Sequence, residues 1–84
     1  MRSRLDKKYD IRNYSINPDR SIDVDGTINL RCKNLEKLPL KFNKVNGVFD
    51  CARNNLTSLE GSPVEVNSSF FCNNNKLTSF EFAP

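Results

Sequence analysis

The side chains of this chain that could carry chemistry are carboxylates, cysteines and many basic groups, because it contains no histidine. Histidine is the commonest general base and metal ligand, so the most frequent catalytic arrangements are missing. Asp19, Asp23 and Asp25 are spaced like cation ligands, but the twelve-residue calcium loop pattern is not completed. We interpret them as exposed residues of strands and turns, and we expect no enzyme activity, metal or cofactor.

The three cysteines lie 19 and 21 residues apart, which does not resemble the closely spaced pairs of a zinc site. We interpret Cys51 and Cys72 as small buried hydrophobes on neighbouring strands, about 4.8 Å apart. Their thiols should be free, because the sequence shows no secretory signal. Cys32 should lie near the surface, and without a neighbouring base an exposed cysteine is a better interpretation than a reactive thiol.

Basic residues are concentrated in the first half of the chain. Residues 1–44 carry eleven Lys/Arg against six Asp/Glu, a net charge of +5, whereas residues 45–84 carry −2. This asymmetry is typical of a protein that contacts phosphates. RNA is favoured over DNA, because nothing resembles a groove-reading helix and Tyr9 and Tyr14 could stack on unpaired bases. The candidate RNA-contacting residues are Arg2, Arg4, Lys7, Lys8, Arg12, Arg31, Lys33, Lys37 and Lys41. The alternative is a solvated charge distribution. Lys37, Lys41 and Lys44 could also lie on the far side from Arg31, which would dilute the basic patch.

A repeat of 21 residues should position these side chains. Residues 28–35 read INLRCKNL, residues 49–56 read FDCARNNL and residues 70–77 read FFCNNNKL, and the period continues without insertion to residue 84. A fixed period in the low twenties is the signature of a solenoid, in which each repeat packs on its neighbours.

Each repeat is predicted to contain one short parallel strand, at residues 28–31, 49–52 and 70–73. The inward columns are Ile28, Phe49, Phe70 and Leu30, Cys51, Cys72, with Leu35, Leu56 and Leu77 following. Asn54 and Asn75 should bond backbone groups of the turn and of adjacent repeats, and Lys33 interrupts this column. The rest of each repeat should return along the far side as extended or polyproline-like chain.

Residues 1–25 are predicted to cap the first repeat, and residues 26–84 to form three repeats of the same folded unit. Ser3 could begin a short helix that runs to about Tyr9, or this segment could be a frayed arm. Residues 14–24 alternate in the manner of strands on both sides of a turn-rich NPDR segment, which predicts a β-hairpin.

The pattern L-x-L-x-x-N-x-L, present as Phe49-x-Cys51-x-x-Asn54-x-Leu56 and again 21 residues later, resembles the leucine-rich repeat family. More specifically, the chain looks like the short leucine-rich-repeat proteins of the bacteriophage accessory type, in the repeat segments 55–63 and 76–80 and in the lead-in segments 9–19 and 21–26. Two departures are Lys33 in place of the expected asparagine and the lack of a recognisable C-terminal cap.

This resemblance implies a mostly β fold, a small leucine-rich-repeat-like parallel β solenoid with an N-terminal helix and hairpin cap. It also implies a phage-like accessory or counter-defence protein that antagonises a host component by binding it in the host cytoplasm. The partner is not implied, because one fold serves many functions. From the charge distribution, RNA or a ribonucleoprotein is the first candidate.

The alternative partner is a host protein that binds the outward face of the predicted strands. The outward columns are Asn29, Asp50, Phe71 and Arg31, Ala52, Asn73. An exposed aromatic residue beside a polar rim is typical of an interaction hot spot, so Asp50, Phe71 and Asn73 are the candidate protein interface. Alternatively, Phe71 packs under the C-terminal tail.

The last predicted strand would leave an unpaired edge beside Phe70, Phe80 and Phe82. Such an edge tends to find a partner strand, so we predict a two-fold homodimer joined at the C-terminal repeats. No apolar run approaches the length of a membrane span, so we expect a cytoplasmic protein without a membrane partner.

Overall fold

Seven short strands make up the regular structure of this protein. A computed structural model of the 84-residue chain describes residue 11 and residues 13–84. Within these residues it contains the strands β1 Tyr14–Ile16, β2 Ile22–Val24, β3 Ile28–Asn29, β4 Phe42–Val45, β5 Phe49–Asp50, β6 Glu65–Val66 and β7 Phe70–Phe71. None of the described residues is helical, so none belongs to a helix that could cross a membrane. The helix predicted from Ser3 to Tyr9 lies outside the described residues.

The strands form two open sheets. One has four strands in the order β1-β2-β4-β6, and the other has three in the order β3-β5-β7. Only β1 and β2 pair antiparallel, and all other pairs are parallel. The prediction of a small, mostly β protein with parallel strands is therefore confirmed.

Residues 21 positions apart are direct neighbours in both sheets. Ile28 lies opposite Phe49, and Phe49 lies opposite Phe70 in the three-stranded sheet. In the four-stranded sheet, Val45 lies opposite Val66. The period found in the sequence is thus the register of strand pairing.

The hairpin predicted over residues 14–24 is present, with Tyr14 opposite Val24 and Ile16 opposite Ile22. Its turn is closed by the Asn17 N–H, which donates to the Ser21 carbonyl at 2.8 Å. The Asp19 carboxylate accepts both the N–H and the hydroxyl of Ser21, at 3.0 and 2.6 Å. Polar turn residues therefore act here as their types predict.

Two details of the predicted strands differ from the structure. The strands predicted as four residues long extend over two, because the chain turns soon afterwards with Cys32, Arg53 and Asn74 at φ of 57°, 58° and 58°. The returning segments, predicted as irregular or polyproline-like, contain β4 and β6 and add a second sheet. One extra residue in β4 makes a bulge against β2, where Ile22 and Val24 pair with Phe42 and Val45.

The hydrophobic core joins both sheets. Phe42 of β4 and Phe49 of β5 meet edge to face with ring centroids 5.0 Å apart, and Phe49 stacks on Phe70 at 5.5 Å. Of the inward columns predicted from the sequence, Ile28, Leu30, Phe49, Cys51 and Leu56 in the first two repeats are buried, whereas Leu35 is only partly buried. Their equivalents in the third repeat pack against this core but stay partly exposed.

Asparagine side chains connect neighbouring repeats as predicted. Asn54 donates through Nδ2 to the carbonyls of Leu30 and Cys51, at 2.8 and 2.9 Å. Its Oδ1 accepts the N–H groups of Lys33 and Leu35, at 2.9 and 3.0 Å. Asn75 makes equivalent bonds one repeat later, to the carbonyls of Cys51 and Cys72 and from the N–H of Leu56.

Candidate binding surface

The outer side of the three-stranded sheet is the candidate binding surface, which we call the sheet face. Parallel pairing places Asn29, Asp50 and Phe71 side by side across β3, β5 and β7. Phe71 is 45% exposed, so the described residues of the C-terminal tail do not cover it. Asn73 is also exposed, which leaves the predicted protein interface open to a partner.

Asp50 is held in place on the sheet face by two contacts. Its Oδ2 lies 3.3 Å from Nη1 of Arg31, and its Oδ1 accepts the Ala52 N–H at 3.0 Å. Asn29 in turn accepts the Arg31 N–H at 3.1 Å. Asp50 was predicted to contact protein and Arg31 to contact RNA, yet the structure brings the two together as an ion pair.

The other basic residues predicted to contact RNA do not share this face. Lys41 precedes β4 of the four-stranded sheet, and its Nζ lies 3.4 Å from the Asp19 carboxylate. Lys33 and Lys37 are exposed, in the loop that connects β3 to β4. Arg2, Arg4, Lys7, Lys8 and Arg12 lie outside the described residues. The described residues of this set are therefore divided between the sheet face, the loop that connects β3 to β4, and the start of β4.

The aspartates of the hairpin act as structural acceptors. The hydroxyl and N–H of Ser21, helped by Lys41, lower the pKa of Asp19 from its usual value to about 2. Asp23 Oδ1 accepts from the side chains of Asn43 and Asn17 and from the Lys44 N–H, which lowers its pKa. Within residues 13–84 and at residue 11, no group of three or more His, Cys, Asp or Glu is placed to hold a metal ion.

The three thiols are free and differ in exposure. Cys51 is fully buried, and this burial raises the pKa of its thiol to about 12. Cys72 is half-buried, and desolvation raises the pKa of its thiol too. Cys32 is exposed, as predicted. A thiol that stays protonated is a poor nucleophile, so Cys51 acts as a small apolar core residue.

The sequence did not predict a groove of about 870 Å³ between the returning segments and the C-terminal tail. Lys37, Leu40, Gly61, Val64 and Phe82 are among the residues that line it. Phe82, predicted at the dimer edge, thus faces this groove, whereas Phe80 lies beside Phe70 at the open end of the molecule. The signal that could have revealed the groove is Val64, an apolar residue outside the repeat columns that is largely exposed.

Comparison of the chain with protein-family models, with curated proteins and with solved structures found no match. The resemblance of the repeat to leucine-rich repeats therefore stays a prediction that rests on the residues themselves.

Proposed function

We propose that this protein is a non-enzymatic binding protein, a phage-like accessory factor that antagonises a host protein through the sheet face. We also propose that its fold is a leucine-rich-repeat-like solenoid of three repeats. The 21-residue register of both sheets supports this fold, as do the bonds that Asn54 and Asn75 make to neighbouring repeats.

The observation that carries the functional proposal is the exposed Phe71 beside polar neighbours on the sheet face. Phe71 and Asn73 are open, and the neighbouring Asp50 already has its geometry fixed by Arg31 and by the Ala52 N–H. An aromatic side chain on rigid backbone loses little conformational freedom on binding, and fixed polar groups beside it can select the partner.

A protein partner is favoured over RNA by the environment of the described basic residues. A phosphate that approached Arg31 or Lys41 would compete with the carboxylates of Asp50 or Asp19. RNA or a ribonucleoprotein stays the second candidate, because residues 1–44 carry a net charge of +5 and Lys33 and Lys37 are exposed.

Affinity capture from host extract, analysed for both protein and RNA, tests the proposal. We expect one host protein to bind the wild-type chain, with little dependence on salt. Phe71→Ala should weaken that binding by about 2 kcal/mol, roughly thirtyfold, because a central aromatic anchor is lost. Phe82→Ala is the matched control, because Phe82 is a similarly exposed aromatic residue that lies in the groove and away from the sheet face.

The opposite outcome is equally clear. The RNA alternative would be established if the chain captured RNA and the amount captured fell steeply between low and moderate salt. The captured amount should then also fall in the double variant Lys33→Gln/Lys37→Gln, but not in Phe71→Ala. The sheet-face proposal would then be wrong.

A further inference from the structure

The apolar residues at the end of the third repeat lack the cover that the second repeat has. In the second repeat, five inward side chains are at most 1% exposed: those of Val45, Phe49, Cys51, Leu56 and Leu59. Their equivalents 21 residues later are partly exposed, namely Val66, Phe70, Cys72 and Leu77, with Phe80 at 73%. The residues at these positions of the third repeat are still apolar, although the end of a solenoid that faces water is normally polar.

The backbone of β7, at the same end of the molecule, has hydrogen-bonding groups that face away from β5. Each repeat donates N–H groups to carbonyls of the next: Ile28 to Val48 at 2.8 Å, and Phe49 to Ser69 at 2.9 Å. Phe70 occupies the next position in this series, and among the described residues no strand lies beyond β7 to accept its N–H. The same holds for the N–H of Cys72, since Cys51 donates to the Phe71 carbonyl at 2.8 Å.

These groups can pair with a copy of themselves. In a strand, the N–H and C=O of one residue point to the same side, so Phe70 presents both a donor and an acceptor at the open edge. Cys72 presents its N–H there, and its carbonyl, which already accepts from Asn75 Nδ2 at 3.0 Å, keeps a second lone pair for a further bond. Phe71 lies between them and uses its own groups towards β5. An antiparallel copy would match Phe70 with Cys72 twice about a two-fold axis, which makes the edge self-complementary.

The distribution of charge favours this edge over the opposite one. Residues 67–75, which include β7 and its flanks, carry no charged side chain. The edge strand β3 at the other end of the same sheet is followed closely by Arg31 and Lys33. Pairing at β7 also leaves β5 and β6 between the junction and residues 13–44 of each copy, which carry a net charge of +2, so these segments repel each other little.

We propose that a second copy of this chain covers the open end, with the two β7 strands paired antiparallel and Phe71 opposite Phe71 of the second copy. The two three-stranded sheets then form one continuous sheet, and Phe70, Cys72 and Phe80 become buried between the copies. Phe71 forms a cross-strand aromatic pair at the centre of the doubled sheet face. This inference does not rest on the proposed function.

Sedimentation equilibrium of the purified chain over a wide concentration range tests the association. We expect a mass that rises from 9.6 kDa towards twice that value. Phe71→Lys should weaken dimerisation at least about tenfold, because it places like charges directly opposite each other across the pair. Ile16→Lys is the control, because Ile16 is an exposed residue on the edge strand β1 of the other sheet and gains the same charge.

A disulfide tests the register directly. Directly opposite residues of a non-hydrogen-bonded antiparallel pair have Cα atoms about 4.5 Å apart, which is within disulfide range. Phe71→Cys in a Cys32→Ser background should therefore form a dimer linked by a disulfide under mild oxidation, and Ile16→Cys in the same background should not.

A mass that stays at 9.6 kDa at the highest concentration would overturn the proposal. So would a wild-type dimer whose Phe71→Cys variant does not crosslink. Only the purified chain is present in these measurements, so their failure would leave the proposal of a host partner standing.

Discussion

Asn54 connects two repeats through a single buried side chain. It donates to the carbonyls of Leu30 and Cys51 and accepts the N–H groups of Lys33 and Leu35. It is only 7% exposed, so water cannot easily replace these bonds. The side chain thereby satisfies backbone groups that the turns after β3 and β5 would otherwise leave unpaired.

Asn54→Ala should destabilise the protein by about 3 kcal/mol, because several buried backbone groups lose their partners at once. Asn55→Ala is the matched control, since the neighbouring Asn55 makes a more exposed bond to the Asn34 side chain and should cost well under about 1 kcal/mol. Urea unfolding followed by circular dichroism measures both. Equal shifts of the two midpoints would contradict this role of Asn54.

The sequence predicted the role of Asn54 and Asn75, but it did not predict the backbone conformation and the contacts of residues beside them. Cys32, Arg53 and Asn74 have left-handed backbone although none is glycine. At two of them strand pairing continues past β3 and β5: the Cys32 N–H donates to the Ala52 carbonyl at 3.1 Å, and the Arg53 N–H donates to the Asn73 carbonyl at 2.9 Å. The pair of Arg31 with Asp50 was also missed, because the sequence assigned the two residues to different partners.

Turns between the two sheets set how closely neighbouring repeats approach. Gly47 lies between β4 and β5, and a Cβ at this position would come within 2.6 Å of the Gly26 carbonyl oxygen. The same column in the next repeat holds Ser68, which is exposed. A small residue is thus required at position 47, where one repeat packs on another. The requirement is weaker at position 68, at the open end.

Gly47→Ala should cost about 1–3 kcal/mol, because the added methyl group overlaps the backbone of the preceding repeat. Ser68→Ala, in the same column, should have little effect. Thermal unfolding by calorimetry compares the two variants with the wild type. A Gly47→Ala variant as stable as the wild type would show that the repeats can move apart there.

Among the strands, the sequence predicted the hairpin and the strands that carry the sheet face, and it missed β4 and β6. The hairpin has strict alternation and clear turn residues, which are local signals. By contrast, β4 buries Phe42 and Val45 three positions apart, a spacing that does not alternate. A bulge against β2 accommodates this spacing, and only the neighbouring strand makes it visible.

The whole molecule has one core, to which both ends of the described chain contribute. Ile11 and the hairpin residues Ile22 and Val24 belong to the same buried cluster as Phe49 and Leu59, and third-repeat residues pack against it. Most of its strand pairs join residues 20 or 21 positions apart along the chain. No single repeat can therefore bury its apolar residues without its neighbours.

This shared core predicts one cooperative unfolding transition for the hairpin and the third repeat. The fluorescence of Tyr14 in β1, isolated by Tyr9→Phe, reports on one end of the molecule. The rate of labelling of Cys72 in a Cys32→Ser background, read by peptide mass spectrometry separately from that of Cys51, reports on the other. We expect both probes to change together with urea at low protein concentration, because coincident transitions are the mark of two-state unfolding. Labelling of Cys72 well before the Tyr14 transition would mean that the third repeat opens by itself, and that its partly exposed apolar residues depend on a second copy for their stability.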